Sequence, residues 1–322
     1  MSYTYKVYLK DDREHFEWEC DTQFYATKRA VKKDFEISQS LLDFFYLDVG
    51  NYHKIFDRMG QIVRELPTKE AGPKEVPPAL MTDLDKIAKE HIFFEFVRLD
   101  WFDRLDRYAK GEQVGMWYKD LTWIPMNLGT IQNQLKPLFD KVLNAFADDT
   151  KTMPERLASL YGKKGFDTHN SRFKFEPLSI DFAPVGTQIY TDVLAPKNIH
   201  DIVDFFLREF MRRDIAFKNC KSCGKYFPAS HGNTEYCNRL YEDTGKTCRE
   251  IGSVKAYQSK VENNPAIKEY NRGYKTHYAR IKSGKMTKEQ FKEWAEMARE
   301  YRDEVTSGKR SLEGFIDWLK NF

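Results

Sequence analysis

Four of the chain's five cysteines fall in one short stretch, CKSCGKYFPASHGNTEYCNRLYEDTGKTC, at the spacing C-x2-C-x13-C-x10-C. A two-residue gap lets one tight turn aim two thiolates at a single metal ion. A second pair from another piece of chain then completes a tetrahedron. Gly224, directly after the second cysteine, suits a knuckle that needs an unhindered backbone, and Tyr226 and Phe227 would supply apolar cover. The expectation is a zinc site with Cys220, Cys223, Cys237 and Cys248 as ligands, contributing on the order of 10 kcal/mol or more to folding. Four sulfurs close the coordination sphere, so such a zinc is structural rather than reactive. Two rival readings stay open. His231 could replace one of the later cysteines, or Cys220 and Cys223 could form a redox dithiol, although no thioredoxin-like βαβ pattern surrounds them. Cys20, far off in sequence, reads as an ordinary buried thiol.

Clustered cysteines bind metal in preference to forming disulfides where thiols are kept reduced. The opening residues MSYTYKVYLKDDREH lack the basic flank and apolar run of a signal peptide, and no run of 18 or more apolar residues suggests a membrane span. A cytoplasmic location without membrane attachment is therefore expected. Hydrophobic residues at 41% and mixed charges at 31% predict a packed globular chain rather than disorder.

Alternation over Tyr3–Leu9 predicts a strand, with His15–Cys20 as its hairpin partner. From Ile37 to Leu66 the pattern is helical, with a break at Gly50 and Asn51. Four prolines in PTKEAGPKEVPPA (67–79) mark a loop. Thr82 is placed as the cap of one helix reaching about Lys110, apolar on more than one face in its middle. A helix over Leu128–Ala147 follows. Thr152 then caps a short helix with Pro154 early in it and Gly162 just past its end. Residues 172–184 and 187–194 read as strands about a turn at Gly186, and Asn198 as the cap of a helix through Met211. The fold class expected is α+β, mostly helical: an N-terminal α+β domain (1–212), a small zinc-binding module with a basic helix (213–286) and a helical tail (287–322).

Charge is unevenly spread. Residues 1–210 carry 29 Lys and Arg against 34 Asp and Glu, whereas residues 211–322 carry 23 against 15. Such a surplus points to a polyanionic partner, or more plainly to a solvated helical tail. Arg249, Lys255 and Lys260 lead into a segment where Lys268, Arg272, Lys275 and Lys282 share one helical face. Tyr270, Tyr274, His277 and Ile281 share another, roughly opposite. The tyrosine face would pack on the protein, while the basic face would be solvated or would track phosphates. A further reading stacks the tyrosines on unpaired bases. Thr287 to Gln290 matches a capping box, Ser311 reads as another cap, and Trp294 and Trp318 would pack the tail onto the body.

The run FKNCKSCGKYFPAS…EYC…TC, arriving off a helix and followed by basic helix, resembles the CGNR-type zinc-finger group of bacterial proteins. It resembles more closely still an uncharacterised bacterial pattern, C-x2-C-G-K-Y-F…Y-C…K-T-C, over roughly residues 210–280. The resemblance implies an N-terminal α+β domain joined to a zinc module, ligand roles for the four cysteines, and DNA-binding regulation. The CGNR string itself is absent. Cys248 sits in Lys-Thr-Cys-Arg-Glu, and its gap from Cys237 is longer. The expected function is that of a zinc-binding, nucleic-acid-associated protein, DNA favoured over RNA. Arg249, Lys255, Lys260, Lys268, Arg272, Lys275 and Lys282 would hold phosphates. The alternatives are a protein-interaction or scaffold protein whose zinc only staples the fold, and an enzyme with an unrecognised N-terminal site.

No phosphate-cradling glycine loop, nucleophile elbow or metalloprotease helix motif occurs. His91 with Glu95, and His200 with Asp204, have a helical spacing that could hold a metal or relay a proton. Against this, Asp103, Arg104, Asp106 and Arg107 read as a salt-bridged solvent face. His53, His169 and His277 read as structural, and the chain is not expected to be an enzyme.

Overall fold

The N-terminal alternation folds into an antiparallel hairpin of β1 (Tyr3–Lys10) and β2 (Arg13–Cys20). Its two turn residues, Asp11 and Asp12, have φ of 51° and 54°. Left-handed φ at both positions gives a two-residue turn the twist that its strands require. The structure, a computed structural model, describes residues 1–67, 72–162, 172–186, 189–229 and 234–321. His169 and His231 lie outside the described residues. The chain divides into two compact units, residues 1–219 with 225–234 and residues 220–224 with 235–322.

In the first unit β2 pairs on its far side with β3 (Val31–Glu36), which apolar alternation did not reveal. β3 is mostly charged and is matched across the ladder by His15–Asp34 at 2.6 Å and Lys32–Glu17 at 3.2 Å. Cross-strand charge pairs take the place of an apolar face here. Helices α1 (Gln39–Phe45) and α2 (His53–Glu65) are separated by a 3-10 turn at Val49–Tyr52, where the break was expected. The single helix expected from Thr82 is instead two, α3 (Pro78–Glu90) and α4 (Ile92–Ala109). Pro78 occupies the first turn of α3, and the Thr82 hydroxyl donates to its carbonyl at 3.0 Å, so Thr82 is no cap. The backbone becomes extended at His91 (φ −153°, ψ 143°), whose Nδ1 accepts the Phe93 N–H at 3.1 Å and caps α4.

The unit continues through α5 (Lys119–Thr122), α6 (Ile124–Lys141) and α7 (Met153–Tyr161). α6 starts earlier and ends earlier than the periodicity suggested, with Pro125 in its first turn. α7 has the Thr152 capping box. Strands β4 (Ile180–Val185) and β5 (Ile189–Leu194) complete an antiparallel sheet of order β3-β2-β1-β5-β4. Asn198 caps α8 (Ile199–Arg212), and β6 (Phe217–Asn219) pairs with β7 (Tyr226–Pro228).

α4 lies in the core, with Phe93 6.2 Å from Phe16, which also meets Phe206 at 6.0 Å. The expected salt-bridged solvent face holds for Arg104 and Arg107, which are partly exposed. Arg104 pairs with Asp100 and Asp120, and Arg107 with Glu112. Burial overturns that face for Asp103 and Asp106. Asp103 and Asp106 are 4% and 1% exposed. Asp103 accepts the Ser2 N–H and hydroxyl at 2.6 and 2.7 Å, and Asp106 accepts the Gln23 N–H at 3.1 Å and Lys110 at 2.5 Å. A buried carboxylate is tolerated when hydrogen bonds of this kind satisfy it. Cys20 is buried, as a core thiol.

The second unit contains α9 (Cys248–Glu262), α10 (Pro265–Lys282), α11 (Lys288–Thr306) and α12 (Leu312–Asn321). The last three share one core of Tyr270, Trp294, Ala295, Ala298 and Phe315. Trp294 and Trp318 thus pack the tail onto α10. His277 stacks on Trp294 at 3.9 Å, with its Nδ1 2.9 Å from the Gly273 carbonyl. The capping box at Thr287 and the cap at Ser311 are both present. The fold is α+β and mostly helical. No described helix is long and apolar enough to cross a membrane.

Candidate metal centre

Cys220, Cys223, Cys237 and Cys248 converge so that their sulfurs all lie within 4.8 Å of one another. All four belong to the second unit. Gly224 closes the first knuckle with φ +71°, and its N–H donates to the Cys220 carbonyl at 2.8 Å. A side chain would strain that left-handed backbone, which is why glycine follows the second cysteine. The Lys221 N–H reaches the Glu235 carbonyl at 3.0 Å, and their side chains pair at 2.6 Å, bringing the chain before Cys237 alongside the knuckle.

The ten residues between Cys237 and Cys248 form a small closed loop. Leu240 bridges Thr247, the Tyr241 N–H donates to the Lys246 carbonyl at 2.8 Å, and Gly245 turns the chain at φ +66°. The Cys248 N–H then donates to the Arg239 carbonyl at 2.8 Å. The longer spacing therefore costs no reach, because the insertion folds back on itself.

Cys248 is the first residue of α9, behind a capping box that the sequence reading missed. The Thr247 hydroxyl accepts the Glu250 N–H at 3.3 Å, and the Glu250 carboxylate accepts the Thr247 N–H at 2.7 Å. The signal was present as Thr-Cys-Arg-Glu, the T-x-x-E pattern. A helix N-terminus favours a thiolate at this position. Tyr226, expected as cover for the metal, instead stacks on Phe139 at 5.0 Å in the core of the first unit. Within the second unit the ring of Tyr236 lies against Gly252.

The chemistry of this donor set fits a metal ion. A tetrahedron with metal–sulfur bonds of about 2.3 Å has edges of about 3.8 Å. Cys223 and Cys237 sulfurs are 3.8 Å apart, far beyond disulfide bonding. Burial pushes the Cys220 thiol up, but the N–H groups of Cys223, Cys237 and Ser222 outweigh it and bring it down to about 7. Burial, reinforced by the neighbouring sulfurs, raises Cys237 and Cys248. Four thiolates need a cation among them to coexist, and a divalent ion meets that need. Four sulfur donors leave no open coordination position, so the arrangement suits a structural ion.

The basic residues named from the sequence fall in the same unit. Arg249 is exposed in the first turn of α9. Lys255 and Lys260 lie in α9, and their side chains are outside what the structure describes. Lys268, Arg272, Lys275 and Lys282 are all exposed along α10. On the other face Tyr270 and His277 are buried and Ile281 is half-buried, whereas Tyr274 is 38% exposed. Tyr278, 49% exposed, lies 6.0 Å from the Lys282 ammonium.

The catalytic candidates are not assembled. His91 Nε2 meets the Ser40 carbonyl at 3.1 Å, while Glu95 pairs with Arg98. His200 stacks on Phe173 at 4.5 Å, while Asp204 pairs with Arg208 at 2.5 Å. Among the described residues, the four cysteines are the one group of three or more His, Cys, Asp or Glu placed to hold a metal.

No curated protein and no solved structure matches the chain. Residues 186–316, from the β4–β5 turn into α12, are similar to a family described as of unknown function, DUF6076, and that stretch contains all four cysteines and the whole basic helix.

Proposed function

We propose that the four-cysteine centre holds a structural zinc ion and that the unit around it binds nucleic acid, DNA in preference to RNA, through the phosphate backbone. The observation that carries the reading is the exposed cationic row on α10: Lys268, Arg272, Lys275 and Lys282 recur at three-, four- and seven-residue steps along 18 residues. Steps of this kind keep side chains on one face of a helix about 27 Å long. Arg249 adds a further exposed cation in the same unit. The resemblance of residues 210–280 to the CGNR-type zinc-finger group agrees with this reading. Zinc is the ion favoured by four thiolates in a closed tetrahedral site, and its role would be to fix α9.

The test is a binding titration on duplex DNA at several salt concentrations. Four phosphate contacts give a log–log slope of roughly −3.6, about a 150-fold loss of affinity between 50 and 200 mM salt. Arg272→Glu with Lys275→Glu should weaken binding and flatten the slope while leaving one zinc per chain by elemental analysis. Absence of binding to any duplex or single strand at low salt overturns the nucleic-acid reading, and absence of zinc overturns the metal reading. A second reading, a protein-interaction module stapled by zinc, draws on exposed Leu240, Val254 and Tyr257 in the same unit. It is favoured if zinc is present and nucleic acid is not bound.

A further inference from the structure

A cavity lined wholly by residues of the first unit includes one residue that the sequence singled out for chemistry, His200. It encloses about 700 Å³, within the range of small-molecule sites. Its floor is apolar, from Phe96, Val97 and Trp101 of α4 and Leu128 and Ile131 of α6, all buried. At the edge Trp123 is 44% exposed and meets Trp117, itself half exposed, at 5.7 Å. The Lys119 ammonium sits 4.8 Å from Trp123 and 5.1 Å from Trp117.

The charged groups of the wall are unbalanced. Asp100 and Asp120 are both taken by Arg104, at 2.9 and 2.8 Å. Arg172 is held at its place by the Tyr161 ring, 4.1 Å away. Lys174 and Lys197 are exposed, line the cavity, and form no ion pair with a described carboxylate. Counting Arg104, the lining holds five cations, with Lys119, Arg172, Lys174 and Lys197, against three carboxylates, Asp100, Asp120 and Glu176, a formal surplus of two. An apolar slot with an aromatic edge accepts a planar ring, and the two exposed ammonium groups of Lys174 and Lys197 accept an anion.

We propose that this cavity binds a small molecule combining a planar aromatic ring with a phosphate, of mononucleotide size, with the ring against Trp123 and the apolar floor and the phosphate toward Lys174 and Lys197. The site is independent of the metal centre and of α10.

Adenosine, guanosine, cytidine and uridine 5′-monophosphates are titrated into the full chain, followed by tryptophan fluorescence and calorimetry. Adenosine and inorganic phosphate serve as the arms that separate ring from anion. At least one monophosphate should saturate a single site and quench fluorescence, with its nucleoside and phosphate each binding far more weakly. Lys174→Glu and Lys197→Glu should each weaken binding roughly tenfold, the scale of one hydrogen bond to a charged group. Trp123→Ala should weaken it and remove part of the quench. These three side chains are exposed, and Lys174→Gln with Lys197→Gln tests the same point should a charge reversal disturb folding. Arg272→Glu with Lys275→Glu should leave the affinity unchanged. Lack of saturable binding by all four monophosphates at millimolar concentration overturns the proposal. So does binding indifferent to the cavity variants, or binding lost with the α10 pair instead.

Discussion

Gly252, beside the candidate metal centre, is packed too tightly to take a side chain without movement. It lies one turn beyond Cys248 in α9, and a Cβ built there would stand 2.2 Å from Cδ1 and Cε1 of Tyr236 and 2.7 Å from Cζ. Carbon atoms in contact sit about 3.5–4.0 Å apart, so in Gly252→Ala the ring must withdraw by about 1.5 Å. Tyr236 directly precedes Cys237, so that movement reaches a ligand. Two effects oppose each other. Alanine improves the helix by about 1 kcal/mol, while forcing a side chain into a filled contact costs about 1–3 kcal/mol. The net expectation is a loss of about 0–2 kcal/mol, read as up to a roughly 30-fold fall in apparent metal affinity by competition with a chromophoric chelator. The sharper measurement is the double-mutant cycle with Tyr236→Ala. Once the ring is gone, Gly252→Ala should become favourable, giving a coupling of about 1–3 kcal/mol. Tighter metal binding by Gly252→Ala with Tyr236 in place, or a cycle with no coupling, would refute the reasoning.

Two further outcomes concern the cores of the units. Burial, opposed by hydrogen bonds from Ser40, pushes the Glu14 carboxyl up to about 8 from 4.5. The folded state then keeps a proton that the unfolded chain releases, so this contribution is full below pH 4.5 and is lost as pH rises through 8. Burial lowers His91 to about 4 from 6.5, so it costs stability only as pH falls below 6.5 and adds nothing to a decline at higher pH. Glu14→Gln should therefore flatten the decline of urea midpoints between pH 6.5 and 8, and an unchanged decline would dismiss Glu14 as its source. Trp294→Ala removes the largest side chain from the α10–α12 core, at an expected cost of about 3–5 kcal/mol. Hydrogen exchange should accelerate throughout α10–α12 and stay unchanged in β1 and β2, and uniform protection in the variant would count against a separate core.

Local signals were read well wherever the physics is local. The two-residue spacing at Cys220 and Cys223, the caps at Thr152, Asn198 and Thr287, and the β1–β2 hairpin each depend on groups a few residues apart. The Thr247–Glu250 box is equally local, a T-x-x-E pattern wrapped around Cys248. β3 was hidden because cross-strand charges, not apolar alternation, hold it. The break at His91 was hidden because a histidine nitrogen took the capping role usually filled by Ser, Thr, Asp or Asn.

The cysteine spacing by itself predicted that four sulfurs would meet, because a C-x2-C turn with two further cysteines a short way on matches a closed metal site. Only the tertiary structure decided what surrounds them. It turned Tyr226 into the first core rather than over the metal, and it placed Asp103 and Asp106 inside rather than in solvent. It also made a cavity from α4, α6 and the start of α8, whose residues lie far apart in the chain. Each of those side chains is ordinary in its own sequence neighbourhood. A cavity has no local signal, because it is defined by the space that distant elements leave between them.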